Sequence, residues 1–213
     1  MGTRSKRLPM SDFHFYEPAK GHGLPHDPWK AIVAPRPIGW ISTLSADGRP
    51  NLAPYSFFNG VSERPPMVMF SSYGRKDSLA NIEATGEFVC NLATHRHAQQ
   101  MNITSGSYPY GDNEFDIAGL VAAPSRVVKP PRVADAPAAL ECVAVQIIQL
   151  QDKDANRLQQ FMVIGQIVGV HIDRACLTED GLFDITRAGT IARCGYRGDY
   201  LQAEKLFEMV RPK

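Results

Sequence analysis

The chain has 213 residues, a formal net charge of +1 at pH 7 and 44% hydrophobic residues. A chain of this length suits one domain and buries roughly 70% of its unfolded surface, so it needs neither a disulfide nor a metal to fold. Its composition argues against global disorder, its near-neutral charge against a nucleic-acid partner, and its lack of an apolar run near ~18 residues against a membrane span.

The cysteines and the N-terminal residues indicate the cellular compartment. The four cysteines are far apart and show neither a C-x-x-C nor a zinc-type spacing: Cys90, Cys142, Cys176 and Cys194. This pattern favours reduced, packed thiols in a cytoplasmic protein. No apolar run follows the basic residues within 1–10, so no secretory signal is predicted. We expect residues 1–20 to form a flexible tail and residues 21–213 a single domain.

The first half of the chain predicts a hairpin and a buried strand. Residues 29–34 are expected to form a short helix that ends before Pro35. Residues 38–44 and 51–58 have strand composition and flank an Asp-Gly turn, which predicts a β-hairpin. The apolar run at 67–72 predicts a buried strand.

Two helices are expected around the next strand. The first is predicted to begin at Asp77, whose side chain can cap it, and to end at Gly86. A strand at 88–92 follows, and a second helix covers His95 to about Ile103.

A long loop occupies residues 105–131, and loops of this length inside a compact domain are usually lids or binding loops. Its clustered acidic residues are expected to face solvent: Asp112, Glu114 and Asp116.

The second half of the chain predicts another hairpin and a terminal helix. Residues 140–150 and 161–172 read as two long strands, and residues 199–210 have the spacing of an amphipathic helix. Because most strand connections are short, a mainly β barrel with peripheral α-helices fits the order better than a doubly wound sheet.

One segment combines the groups of an anion site. It leaves the buried strand and enters the first helix, and it carries Ser71, Ser72, Arg75, Lys76 and Ser78. A helix N-terminus offers free N–H groups and a partial positive charge, and an arginine can grip a phosphate with two hydrogen bonds. Taken alone, the segment favours a solvated helix start with a basic loop.

A second segment mixes aromatic side chains with serine and asparagine on a strand: Pro54, Tyr55, Ser56, Phe57 and Asn59. Trp40 lies on the neighbouring strand of the hairpin. A mostly apolar surface with a few polar groups suits a planar cofactor, although ordinary core aromatics give the same pattern.

Together these segments resemble the flavin reductase-like family of FMN-binding split barrels, which includes short-chain flavin reductases and flavoredoxin-type proteins. The resemblance rests on residues 36–43 (RPIGWIST), 51–59 (NLAPYSFFN) and 75–78 (RKDS), and it extends over about residues 29–200. It implies a Greek-key split β-barrel that forms a homodimer with FMN near the subunit interface.

The resemblance also implies roles for individual residues. The phosphate would be surrounded by Ser71, Ser72, Arg75, Lys76 and Ser78. The flavin and ribityl chain would face Pro54, Tyr55, Ser56, Phe57 and Asn59. The edge of the isoalloxazine would be lined by Trp40, Ile41 and Ser42, with Asn91, Arg193 and Tyr200 as further cofactor-binding candidates.

The implied activity is an FMN-dependent oxidoreductase, with NADH or NADPH as the hydride donor and a partner monooxygenase or redox protein as a further expectation. Several two-component flavin reductases carry a Gly-Asp-His triplet near the C-terminal strands, whereas here Gly198-Asp199 is followed by Tyr200. An FMN-binding electron carrier without its own nicotinamide site therefore stays open as the alternative.

Overall fold

The computed structural model describes residues 13–212 of the chain. The predicted tail at residues 1–20 lies largely outside the described residues, and its last three residues, Pro18–Lys20, form a 3-10 turn. No helix in this described part is long and apolar enough to cross a membrane.

In the part of the chain that the structure describes, short helices accompany twelve strands. The α-helices are α1 (Trp29–Ile32), α2 (Asp77–Thr85), α3 (Ala98–Ile103) and α4 (Glu114–Ile117), and further 3-10 turns cover His95–His97 and Arg174–Cys176. The strands are β1 (Arg36–Pro37), β2 (Gly39–Leu44), β3 (Pro50–Tyr55), β4 (Phe58–Glu63), β5 (Pro66–Tyr73), β6 (Glu87–Leu92), β7 (Ala122–Ala123), β8 (Arg132–Val133), β9 (Ala138–Gln151), β10 (Arg157–Ile172), β11 (Ile191–Arg193) and β12 (Tyr200–Gln202).

Seven strands form one antiparallel sheet in the order β3-β2-β6-β9-β10-β5-β4. The two edge strands, β3 and β4, follow each other in the chain and are separated by Ser56 and Phe57 alone. Three peptide steps span at most about 11 Å, so the opposite edges of the sheet must lie close together. The sheet is therefore curled into an incompletely closed barrel, which confirms the prediction of a mainly β barrel.

The barrel interior is filled by large apolar side chains. Ile41, Phe70 and Phe88 are fully buried there, and α2 adds Leu79 and Ile82 to the same cluster. A second cluster lies on the other face of β2 and is formed by Ile38, Trp40, Leu52, Ala93, Met101, Phe115, Val133 and Ile191. Strand β2 is thus covered on both faces, which explains its continuous burial.

The predicted C-terminal helix at residues 199–210 is wrong. Residues Tyr200–Gln202 form β12, which pairs with β11, and β11 pairs in turn with β1. The apolar side chains that suggested a helix are exposed: Leu201, Leu206, Met209 and Val210. Pairing with β11 makes residues 200–202 a strand, and this long-range contact overrides the local spacing.

Two boundaries also differ from the sequence prediction. The strand expected at 51–58 is divided between β3 and β4, since the chain passes from one sheet edge to the other at Ser56. Asp77 does not cap α2; it is the first helical residue, and Lys76 occupies the cap position without a side-chain hydrogen bond. Gly86 ends the helix in the left-handed conformation, as predicted.

A buried carboxylate links β9 to the end of the long loop. Glu141 accepts hydrogen bonds from the N–H groups of Arg126 (2.8 Å), Val127 (2.6 Å) and Val128 (2.9 Å) and pairs with His171. Burial by itself raises the pKa of Glu141, but these four partners outweigh burial and lower it from 4.5 to about 2.

We predict that Glu141→Gln lowers the free energy of unfolding by about 2–3 kcal/mol at pH 7, because the amide supplies one acceptor to several donors. Since the pKa is lower in the folded state, this stabilisation is present above the unfolded value of 4.5 and is lost as the pH falls toward 2. Urea denaturation should therefore show a difference in the free energy of unfolding between the unaltered protein and Glu141→Gln that is smaller at pH 3 than at pH 7. Glu87→Gln, which changes a less buried acceptor of the Lys129 N–H group, is the matched control; an equal loss in both variants contradicts the prediction.

Candidate functional site

Two neighbouring cavities lie where β3 ends and the chain crosses to β4. The first has a volume of about 380 Å³ and the second about 220 Å³. Pro54 and Ser105 line both cavities, so the two form adjoining parts of one cleft. Strand β3 supplies the wall that the two cavities share.

The first cavity is polar and positively charged. It is lined by Ser56 at the end of β3, by residues on and after α3, and by the β11–β12 turn with Arg193, Arg197 and Tyr200. The guanidinium carbon of Arg193 lies 4.6 Å from the ring centroid of Tyr200, its partner across the two strands. Within residues 13–212, no Asp or Glu lines this cavity.

The second cavity lies at the start of α2. It is lined by Lys76, Asp77 and Ser78, by Tyr55, and by the hydroxyl-rich segment 104–108. No side chain caps the helix, so the N–H groups of its first turn remain available to a ligand. The N-terminus, the Lys76 ammonium and several hydroxyls together form a donor set that suits an oxyanion such as a phosphate.

A buried hydroxyl in the second cavity has no hydrogen-bond partner within the described chain. The side chain of Tyr55 is 9% exposed, and its Oη atom is fully buried near the hydroxyls of Ser72 and Ser78 without a hydrogen bond of good geometry to either. Burial raises the pKa of Tyr55, so the hydroxyl keeps its proton. A buried polar group without a well-formed hydrogen bond is costly.

The second cavity also contains two carboxylates. Glu114 is 7% exposed and accepts the Leu52 N–H group at 3.0 Å, so the expectation that it faces solvent is wrong. The long loop folds α4 against β3, and this contact brings the side chain inward. Burial raises the pKa of Glu114, and the charge of nearby Asp77 contributes further.

Seven of the sequence-predicted site residues line the cleft: Pro54, Tyr55, Ser56, Lys76, Ser78, Arg193 and Tyr200. These residues lie in or directly next to β3, α2, β11 and β12. The curling of the sheet brings these elements to one side of the barrel.

Five other predicted residues lie outside both cavities. Phe57 stacks on Trp29 with 5.8 Å between ring centroids, and Arg75 pairs with Glu83 at 2.8 Å. The remaining three use their polar side-chain atoms within the protein: Asn59 accepts from Gly60, Ser71 accepts from Gln160, and Ser72 donates to the Gly74 carbonyl.

The three residues predicted along the isoalloxazine edge, and the further candidate Asn91, have side chains that are buried in the protein and line neither cavity. Trp40, Ile41 and Ser42 are fully buried, and Asn91 is 2% exposed. Strand β2 pairs with both β3 and β6, so its backbone is also occupied. The Asn91 side chain donates to the Trp40 carbonyl and accepts from the Val133 N–H group. Little of its hydrogen-bonding capacity therefore remains for a ligand.

Sequence reasoning missed other residues that line the cleft. These are Ala53, Met101, Asn102, Thr104, Ser105, Gly106, Ser107, Tyr108, Glu114, Arg197 and Gly198. The run Thr-Ser-Gly-Ser-Tyr at 104–108 could have been recognised, since it opens the long loop with three hydroxyls and a glycine. Arg197 carries no such signal, because its position depends on the pairing of β11 with β12.

Comparison with known proteins identifies the family. Residues 33–190 match the flavin reductase like domain, which covers more than half of the chain. This protein belongs to that family. An uncharacterized protein of Aquifex aeolicus is 34% identical over 169 residues, covering 77% of this chain and 83% of that protein.

Solved structures support the assignment. Nitrilotriacetate monooxygenase component B from Bacillus cereus has 27% identity and a TM-score of 0.78, covering 84% of this chain and 90% of that chain. A split-barrel-domain protein from Shewanella frigidimarina has 22% identity and a TM-score of 0.76, covering 86% of this chain and 89% of that chain. The resemblance and the split-barrel fold predicted from the sequence are thus confirmed, and the flavin reductase like domain points to flavin chemistry.

Proposed function

We propose that this flavin reductase like protein is an FMN-dependent oxidoreductase, and specifically an NAD(P)H:flavin reductase. One observation carries the proposal: a cleft along β3 joins an uncapped helix N-terminus, with the buried Tyr55 hydroxyl beside it, to the positively charged first cavity. The family assignment supports a flavin as the ligand.

The second cavity fits the phosphate end of FMN. The free N–H groups of α2, the Lys76 ammonium and the Ser78 hydroxyl are groups that bind phosphate oxygens. The Tyr55 hydroxyl adds a buried donor. The carboxylates of Asp77 and Glu114 can accept hydrogen bonds from ribityl hydroxyls, so the donor and acceptor sets both suit this cofactor.

The protein's own residues bind, orient and shield the ligand. Bound FMN supplies the hydride chemistry. Pro54 and Ser56 at the end of β3 would support a planar ring, and Pro54 and Ser105 line both cavities. Such support lowers the barrier by fixing two reactants in one orientation, and no side-chain acid or base is assigned to the reaction.

The decisive experiment is anaerobic. The purified protein is loaded with FMN, excess flavin is removed, and the visible spectrum is recorded before and after addition of NADH or NADPH. We expect rapid bleaching of the bound flavin by at least one of the two donors. A retained yellow spectrum with both donors would indicate the alternative, an electron carrier, and a protein that fails to bind FMN would contradict both.

The phosphate assignment can be tested with two flavins. We expect Lys76→Gln to weaken FMN binding at least tenfold, because a charge-assisted hydrogen bond contributes about 1.5–3 kcal/mol. Binding of riboflavin, which has no phosphate, should change less than twofold. Fluorescence titration measures both dissociation constants, with Lys205→Gln, an exposed lysine in the C-terminal segment, as the control. An equal loss for both flavins would place Lys76 away from the phosphate.

A homodimer is part of the proposal. Strands β9 and β10 expose apolar side chains that a second copy would cover: Val143, Val145, Ile147, Val168, Val170 and Ile172. Beside them lies an apolar cavity of about 250 Å³. Light scattering should give a mass about twice 23.5 kDa, and a monomer mass at micromolar concentration would contradict the dimer.

A partner and a compartment complete the proposal. The Bacillus cereus relative is named as component B of a monooxygenase, which supports a partner monooxygenase or redox protein as the final acceptor here. All four cysteines are free thiols, three of them buried, which supports a cytoplasmic location.

A further inference from the structure

We propose that the first cavity binds a phosphate group of the nicotinamide dinucleotide, held by Arg193 and Arg197. This inference rests on the proposed function and reassigns Arg193, which the sequence placed with the flavin. It follows from the charge of the two cavities, from the missing ion-pair partners of the two arginines and from the position of the cavity beside the flavin wall.

The two cavities differ in charge. Among residues 13–212, two arginines and no carboxylate line the first cavity, whereas Lys76, Asp77 and Glu114 together line the second. A second cavity already holding one phosphate at the helix N-terminus has no further cation for another. A dinucleotide carries two or three phosphates, so the positively charged first cavity is the electrostatically favourable place for one of them.

Arg193 and Arg197 form no ion pair within residues 13–212. Five other arginines of this part pair with carboxylates: Arg49, Arg64, Arg75, Arg96 and Arg187. The nearest acid in sequence, Asp199, instead accepts the Tyr196 N–H group at 2.7 Å and so stabilises the turn. The two guanidinium groups that line the cavity therefore keep their donors for a ligand.

The geometry holds Arg193 ready for binding. Its guanidinium packs on the Tyr200 ring at 4.6 Å, and the cross-strand pairing of β11 with β12 fixes both residues. Arg197 lies on the adjoining turn, whose Gly198 has a φ of 93° that only glycine adopts readily. Ser56, which directly follows β3, also lines this cavity and so connects it to the end of the strand where the flavin is proposed to lie.

The phosphate group bound in the first cavity can belong to the pyrophosphate, which NADH and NADPH share, or it can be the 2′-phosphate, which only NADPH carries. The test uses FMN-loaded protein with Arg193→Gln, Arg197→Gln and, as the matched control, Arg174→Gln, an exposed arginine outside the cleft. Calorimetry measures binding of NAD⁺ and NADP⁺, which deliver no hydride, and steady-state kinetics gives KM for NADH and NADPH.

We expect each cavity variant to weaken dinucleotide binding and raise KM at least tenfold, with the dissociation constant of FMN changed less than twofold and the control unchanged. Equal losses for both dinucleotides identify the pyrophosphate, and a loss confined to NADP⁺ and NADPH identifies the 2′-phosphate. Arg197 lies in an exposed turn, so its variant tests the assignment even where Arg193→Gln disturbs folding.

Two results would overturn the assignment. Unchanged dinucleotide binding in both variants would remove the arginines from the site. A tenfold weaker FMN affinity with unchanged KM would assign them to the flavin phosphate. Failure of the unaltered protein to bind FMN is a different outcome, since it refutes the proposed function; binding of inorganic pyrophosphate to the FMN-free protein, lost in Arg197→Gln, then still tests the arginines.

Discussion

The two residues between β3 and β4 set the geometry on which the rest of the molecule depends. Consecutive strands normally pair with each other, but these two form opposite edges of a seven-stranded sheet. A link as short as Ser56-Phe57 leaves the sheet no alternative to curling until its edges meet. Closure then brings the end of β3, the start of α2 and the β11–β12 turn to one side of the barrel, so the cleft is a product of the closure.

The cleft owes its chemistry to elements that close around it from different parts of the chain. Strand β3 supplies a rigid wall, α2 an uncapped N-terminus, and the long loop its hydroxyls and a buried carboxylate. The small sheet of β1, β11 and β12 adds the arginines. Charge is thereby divided between two cavities that share a wall, an arrangement that suits two ligands held next to each other.

Local patterns predicted much of the fold and about a third of the residues that line the cleft. The Asp-Gly hairpin, the buried strand at 67–72 and the glycine that ends α2 are properties of neighbouring residues, so the sequence was sufficient to find them. The C-terminal strand was misread as a helix because its structure comes from pairing with β11. Glu114 and Arg197 were missed for the same reason, since long-range contacts position them.

Buried side chains of β2, β6 and β9 hydrogen-bond to both ends of the long loop. Trp40 donates to Thr104 at 2.9 Å, where the loop begins, and Asn91 accepts from Val133 at 2.8 Å, just after it ends. Glu141 accepts hydrogen bonds from the N–H groups of residues 126–128. Both ends of the loop are thus attached to the barrel core, and residues 104–108, which line the second cavity, follow directly from one of these fixed points.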